Sequence, residues 1–177
     1  MIFAVLMIVA GSADAQTNLG FTGGALFPVG DFAETTTISP YVGVALEIQE
    51  VNAIGQVAVL SFIVQGGYAF LQTDDDHQEY LDENRISEDG RYVDAGIGAR
   101  VYSTANPLFI SLGASYLNVK IAGAGSSNNG FGGYAGLGFA SRVTSFRLTV
   151  EGRANIGFVD DDSLVHFQAL VGFGLPF

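Results

Sequence analysis

The chain contains no cysteine. That absence removes disulfides, thiolate nucleophiles and cysteine-based metal sites together. Basic residues are also scarce: 7 Lys plus Arg stand against 18 Asp plus Glu, for a formal net charge of −11. Nucleic acid is therefore excluded as a partner, because nothing resembles the basic footprint that phosphate neutralisation requires. Past the N-terminus there is no run approaching the roughly 20 apolar residues of a membrane helix. Yet 49% of the residues are hydrophobic and the mean hydropathy is +0.36, too apolar for an ordinary soluble protein. Only a closed β-barrel remains as a spanning solution. Hydrocarbon cannot hydrogen-bond backbone N–H and C=O groups, so every strand must pair on both sides. A length of 177 residues suits one such domain.

The first fifteen residues read as a secretory signal peptide rather than as structure. An apolar stretch, Ile2–Ala10, is followed by Ala13-Asp14-Ala15, an A-x-A cleavage pattern. The expected division is a signal peptide over 1–15 and a barrel domain over 16–177. The signal departs from the usual pattern in one respect, since no Lys or Arg precedes the apolar stretch.

What the remainder has in abundance is alternation. Eight segments show apolar residues at every second position, and no stretch has convincing helical periodicity. In Phe146–Phe158, the residues Phe146, Leu148, Val150, Ala154, Ile156 and Phe158 alternate with Arg147, Thr149, Glu151, Arg153 and Asn155. Because successive strand side chains point to opposite faces, one face of this segment suits lipid and the other water. Arg91–Tyr102, Leu108–Asn118, Phe131–Arg142 and Val165–Phe177 behave alike. Leu19–Phe27, Tyr41–Gln49 and Val57–Leu71 complete the set. The last of these is apolar on both faces for half its length, so a slip of one residue would exchange its faces. The fold predicted is an all-β, eight-stranded antiparallel up-and-down transmembrane barrel, an even count as in bacterial barrels.

With a periplasmic N-terminus, the outer loops fall at Pro28–Ser39, Gln72–Gly90, Ala122–Gly130 and Val159–Ser163. The inner turns fall at Glu50–Gln56, Ser103–Pro107 and Val143–Ser145. Outer connections are mostly the longer ones, as this class requires, and both termini face the periplasm. Aromatics gather toward strand ends in two belts, with Tyr68, Phe70, Phe131, Phe158 and Phe167 outside and Phe139, Phe146, Phe173 and Phe177 inside.

A soluble ligand-binding barrel would share the strand count but invert the polarity, lining its cavity with apolar residues. Here the other face carries Asp94, Arg100, Arg142, Arg147, Glu151 and Arg153 among many glycines. That set fits a small polar lumen. Charges removed from water must be paired or hydrated, so interior ion pairs are expected between these arginines and Glu151 and Asp94. They would close the lumen and hold register; a conducting role is the alternative.

Two acidic tips stand on expected outer loops. Gln72–Gly90 holds Asp74, Asp75, Asp76, Glu79, Asp82, Glu83, Glu88 and Asp89, and a second loop holds Asp160-Asp161-Asp162. Solvated, mobile charge is the default reading. Convergence of Asp74, Asp75, Asp76, Asp160, Asp161 and Asp162 on a divalent cation is a weaker one, since neither loop has the fixed Gly and closing Glu of an EF-hand. No cofactor is expected. The only histidines are His77, in the acidic loop, and His166, facing the lumen near the outer end of the last strand. General-base catalysis needs a histidine beside a nucleophile and an orienting carboxylate, and neither position offers that set, so His166 is expected to be a hydrogen-bonded interior group and the chain not an enzyme.

The terminal Phe177, with Phe167, Val171, Phe173 and Leu175 at alternate positions before it, resembles the C-terminal targeting signal that the barrel-insertion machinery reads in bacterial outer-membrane proteins. Together with Gly23-Gly24-Ala25-Leu26-Phe27-Pro28-Val29-Gly30-Asp31-Phe32, the strand pattern resembles the OmpA/OmpX-like outer-membrane β-barrel superfamily over nearly all of residues 16–177. The resemblance implies a place in the bacterial outer membrane with lipid as the immediate partner. It does not choose among anchors, adhesins, narrow pores and lipid enzymes. An eight-stranded barrel is just wide enough for its own side chains, so the expected role is structural or adhesive, through outer loops that contact a surface ligand. A narrow channel and a self-assembling surface subunit are the alternatives.

Overall fold

The computed structural model describes residues 16–49, 57–84, 86, 89–143, 145–160 and 162–176. The signal-like segment 1–15, Asp161 and the terminal Phe177 lie outside the described residues.

Among the described residues eight strands follow one another: β1 (Gln16–Val29), β2 (Ser39–Gln49), β3 (Ala58–Leu71), β4 (Gly90–Ser103), β5 (Leu108–Lys120), β6 (Asn128–Val143), β7 (Phe146–Val159) and β8 (Asp162–Pro176). Each pairs antiparallel with its neighbour in sequence, and β1 pairs with β8, so the sheet closes in the order β1 to β8. At 11 to 16 residues every strand reaches the roughly 9–11 residues that a tilted strand needs to cross a bilayer. No described helix is long and apolar enough to cross a membrane.

The alternation sorts the two faces. Outward stand Ile97, 66% exposed, and Phe131, 71% exposed, with Phe21, Val44, Leu112, Val150 and Val171 also exposed. Inward stand Glu47, Arg100, Glu151 and Arg153, none more than 5% exposed. A soluble barrel would have the reverse polarity. The uncertain third strand keeps the expected register: Phe62, Val64 and Phe70 are exposed while Ser61, Ile63, Ala69 and Leu71 are buried. Aromatics neighbour one another on the outer wall, Phe131 opposite Phe158 and Phe27 opposite Phe167 near the loops, Phe21 opposite Phe173 toward the chain ends.

Inside the lumen, tyrosines lie across glycines of the neighbouring strand. A Cβ on Gly67 would run into the Tyr41 ring, and one on Gly113 into the ring of Tyr134. These glycines are sockets for aromatic rings and make no conformational demand.

One expectation fails at the outer end. Gln72–Gly90 is not a continuous open loop, because Asp75–Glu83 forms an α-helix, α1. Its signal is capping rather than periodicity. Asp74 is the N-cap, its carboxylate accepting from the Asp76 amide at 3.2 Å, and Asp75 and Asp76 place negative charge at the positive end of the helix dipole. Only Leu81 is buried, so no apolar stripe marks the helix in the sequence. A short 3₁₀ turn, Gly30–Glu34, follows β1 and buries Phe32.

Gly113→Val should lower the stability of the folded barrel by about 1–3 kcal/mol through overpacking against Tyr134. Gly23→Val, where a Cβ meets nothing within 4 Å, should leave it nearly unchanged. Urea titration of the barrel refolded into phosphatidylcholine vesicles reads both, and equal effects would contradict the socket.

Candidate functional site

The half of the lumen nearer the chain ends, called the inner half below, is held by one ionic cluster. Glu151, on β7, accepts at Oε2 from Arg100 Nη2 at 2.6 Å and from Arg153 Nη2 at 3.0 Å. Its Oε1 accepts from Arg153 Nε at 2.6 Å and from the Ser111 hydroxyl at 2.5 Å. Arg153 thus grips Glu151 by both edges, the strong bidentate geometry. Arg100 spans the lumen to Glu47 on β2, with Nη1 to Oε2 at 3.2 Å. Arg147 Nη1 approaches the other oxygen of Glu47 at 3.3 Å, and Arg153 Nη1 donates to Gln65 Oε1 at 3.0 Å. Strands β2, β3, β4, β5 and β7 are therefore tied through side chains across the interior.

Three arginines share two glutamates, so the guanidinium faces matter too. Arg100 lies 4.9 Å from the Phe109 ring centre, Arg147 5.1 Å from Tyr102 and Arg153 4.6 Å from Tyr134. Aromatic faces attract cations by their quadrupole, and the attraction strengthens where water is excluded. A small cavity of about 40 Å³ beside Asn18, Thr22, Glu47, Arg147 and Thr149 is the space left at this level. It is too small for anything much larger than water.

The opposite half, called the outer half below, is mainly apolar, with Asp94 and Gln168 among its buried polar side chains. Leu26, Tyr92, Leu117, Val119, Leu164 and Leu170 form a buried cluster that also contains Phe32 from the 3₁₀ turn. His166 is embedded in it at 1% exposure, edge-on to Tyr92 at 5.1 Å and to Phe32 at 6.3 Å. Neither ring nitrogen of His166 has a hydrogen-bond partner among the described residues, so the expected hydrogen-bonded group is instead a ring packed among rings. The inward-facing Asn155 is the cross-strand partner of His166, and its Nδ2 is likewise buried without a hydrogen-bond partner.

Above this layer the outer loops fasten to one another. Thr36 bridges to Thr73, and the Thr37 amide donates to the Gln72 carbonyl at 2.8 Å. Ser39 Oγ accepts from the Gln72 amide at 2.9 Å and donates to the Thr37 carbonyl at 2.9 Å. Helix α1 then folds onto the β5–β6 loop. There His77 Nε2 donates to the Ala122 carbonyl at 2.9 Å and Leu81 is buried against Gly123, whose φ of +82° is a left-handed turn conformation open to glycine.

Of the residues expected in the lumen network, Arg100, Arg147, Glu151 and Arg153 come together. Two do not join them. Asp94 is buried but is held by the Tyr41 hydroxyl, which donates to its Oδ1 at 3.0 Å, rather than by an arginine. Arg142 has the inward register, yet it sits at the end of β6 exposed to solvent and outside the cluster. Glu47 belongs to the network and was not singled out from the sequence, although its alternation with Val44, Leu46 and Ile48 already put it on the inner face. Among the described residues no three His, Asp or Glu side chains converge to hold a metal, and Asp161 lies outside them. Asp74, Asp75 and Asp76 are on or capping α1, whereas Asp160 and Asp162 stand at the β7–β8 hairpin. On the last strand Phe167, Val171, Phe173 and Leu175 are exposed on the outer wall. His77 bonds a carbonyl and His166 has no bonding partner among the described residues, so neither meets a nucleophile.

The closed eight-stranded fold is similar to that of several solved structures. Neisserial surface protein A matches with a TM-score of 0.56 at 15% identity, over 92% of this chain and 99% of that one. A major outer membrane protein from Thermus thermophilus matches with a TM-score of 0.53 at 11% identity, over 93% and 100%. This is the fold of the small outer-membrane β-barrels. The Yersinia pestis outer membrane protein Ail, solved in a phospholipid bilayer nanodisc, shares the barrel with a TM-score of 0.51 at 13% identity, over 93% of this chain and 100% of that one. No family model matches the chain, and no curated protein matches it.

Glu151→Gln leaves Arg100 and Arg153 buried with a weakened acceptor and should destabilise the barrel by about 3 kcal/mol, the cost of breaking a buried pair from one side. Arg142→Gln, at the exposed strand end, should change stability by less than about 0.5 kcal/mol. Urea midpoints in vesicles separate the two; a neutral Glu151→Gln would show that the cluster carries no stability.

Proposed function

We propose that this chain is a non-enzymatic barrel of the bacterial outer membrane that keeps its lumen shut and presents a fastened, acidic outer surface for contacts at the cell surface. The observation that carries this reading is the double closure of the interior. An ionic cluster fills the inner half, an apolar layer with His166 fills the outer half, and α1 is packed over the β5–β6 loop above them. A channel needs a continuous polar path, and the apolar layer interrupts it. Residues 1–15 direct export and Val165–Phe177 is the strand read by the insertion machinery, so both ends of the barrel chain face the periplasm. The outer surface is where the chain's negative charge is concentrated, with Glu79, Asp82 and Glu83 of α1 displayed to solvent. Neisserial surface protein A, similar in fold, is by name a surface protein.

The absence of native cysteine makes the orientation directly measurable. Gln78→Cys, on the exposed side of α1, should react with a membrane-impermeant maleimide on intact cells. Ala105→Cys, in the exposed β4–β5 turn, should react only after lysis. The opposite labelling pattern would invert the orientation, and labelling of neither on intact cells and both in a soluble fraction would remove the outer-membrane reading.

A further inference from the structure

The inner half of the lumen is lopsided. The ionic cluster draws its side chains from β2 to β5 and from β7, whereas the inward positions of β1 and β8 at the same height carry no charge. Register shows what stands there instead. Gly20 of β1 faces Gly174 of β8, which faces Arg147 of β7; one inward row farther along, Thr22 faces Gly172, which faces Thr149. A Cβ on Gly172 would strike the Thr149 hydroxyl, but one on Gly20 or Gly174 would make only ordinary contacts, at 3.6 Å or more. These three glycines are the floor of the cavity of about 40 Å³, and Asn18 stands at its end nearer the chain termini.

The wall of this cavity has more donors than acceptors. Three guanidinium groups line it, those of Arg100, Arg147 and Arg153, against one carboxylate, that of Glu47. Both Glu47 oxygens already accept from arginines, and Gln65 Oε1 accepts from Arg153. Glu151 is not on the wall, nor is Asp94, which the Tyr41 hydroxyl holds. Asn18 is 4% exposed and its Nδ2 has no hydrogen-bond partner among the described residues; the same is true of Arg100 Nε. Arg147 meets only Glu47 at 3.3 Å and the Tyr102 hydroxyl at 3.5 Å through one of its nitrogens, so most of its guanidinium is left to donate. A water molecule would accept from these groups but would bring two protons of its own to a wall whose acceptors are engaged. An anion only accepts.

We propose that this cavity binds a monovalent anion of chloride size as a structural counter-ion of the cluster. The anion lies over the glycine floor and accepts from Asn18 Nδ2 and the Arg147 guanidinium, with the hydroxyls of Thr22 and Thr149 on its other side. Three arginines and two glutamates leave the cluster with one positive charge in excess, and a buried charge in excess is costly until it is paired. The anion supplies that pairing. Selection is by size, since a volume of about 40 Å³ admits a halide and excludes a larger organic acid. A bound counter-ion makes chloride stabilising, where ordinary screening by salt weakens ion pairs. The inference concerns the lumen and stands on the closed barrel and its inward register, so it goes beyond the surface role proposed above.

Two measurements on the full barrel test the site. Crystals soaked in sodium bromide should show an anomalous scattering peak in the cavity, between Asn18 and Arg147. Urea titration of the barrel refolded into phosphatidylcholine vesicles compares chloride with gluconate, too large to enter, at equal ionic strength. Chloride should raise the folding constant about tenfold, as a site whose Kd is about a tenth of the chloride concentration requires. Asn18→Asp sets a carboxylate among the same arginines and should abolish both the bromide peak and the chloride effect. Gly20→Val, whose Cβ meets only ordinary contacts, fills the floor and should abolish both as well, while Gly23→Val on the outer face should keep both. Should the variants at 18 and 20 not fold, the wild-type peak and chloride effect decide alone. Density in the cavity without an anomalous signal at saturating bromide would be water and would overturn the site. So would a wild type equally stable in the two salts, or a chloride effect undiminished in Asn18→Asp.

Discussion

Glu151 receives four hydrogen bonds, three from the guanidinium groups of Arg100 and Arg153 and one from Ser111. The rest of the barrel is arranged so that this carboxylate can be buried. A strand that shows lipid an apolar face must turn its other face inward, and in an eight-stranded barrel that face has nowhere to go but a narrow lumen. Glycines clear room on the neighbouring strands, Gly113 for the Tyr134 ring and Gly136 for Glu151 and Arg153. An isolated buried carboxylate costs several kcal/mol or neutralises; with bidentate Arg153 and the Arg100 bridge to Glu47, its attraction offsets that cost. The cluster also pins register. A slip of one residue in β7 would carry Glu151 and Arg153 to the lipid face together.

The outer half uses a different solution. There the inward residues include Leu26, Tyr92, Leu117 and Leu170, and the imidazole of His166 lies edge-on to Tyr92 and Phe32 and opposite Asn155. On the proposed reading, a mainly apolar layer of this kind stops ions without a plug domain. The loop contacts above it, from Thr36–Thr73 to His77–Ala122, keep the cap over the same end. Interior and surface thereby differ in chemistry: the lumen holds the ionic cluster and the mainly apolar layer, while the acidic residues of α1 stand exposed.

The barrel was legible because its signal is periodic. In β7, the alternation of Leu148, Val150, Ala154 and Ile156 with Arg147, Glu151 and Arg153 fixes both element and face, and the same logic placed every strand and put four of the six network residues where they meet. What alternation cannot carry is height and partner choice. Arg142 shares the inward parity of Arg153 but lies at the strand end, and Asp94 shares that of Arg100 but meets Tyr41 from β2. Those are facts of shear and register across five strands. Helix α1 escaped for another reason: a nine-residue helix with one buried residue and an aspartate cap leaves no stripe, and its acidic residues read equally well as solvated loop. His166 was placed correctly on the inner face, but Phe32, which packs edge-on to it, comes from a turn with no period at all.

The double closure of the lumen is the centre of this account, and ion conductance across a planar bilayer tests it most directly. The wild-type barrel, inserted at defined orientation, is predicted to give no stable single-channel steps, and Glu151→Gln, which loosens only the inner cluster, none either, because the apolar layer around His166 remains. Stable steps in the wild type, altered in size or selectivity by Glu151→Gln, would show a continuous polar path and contradict it.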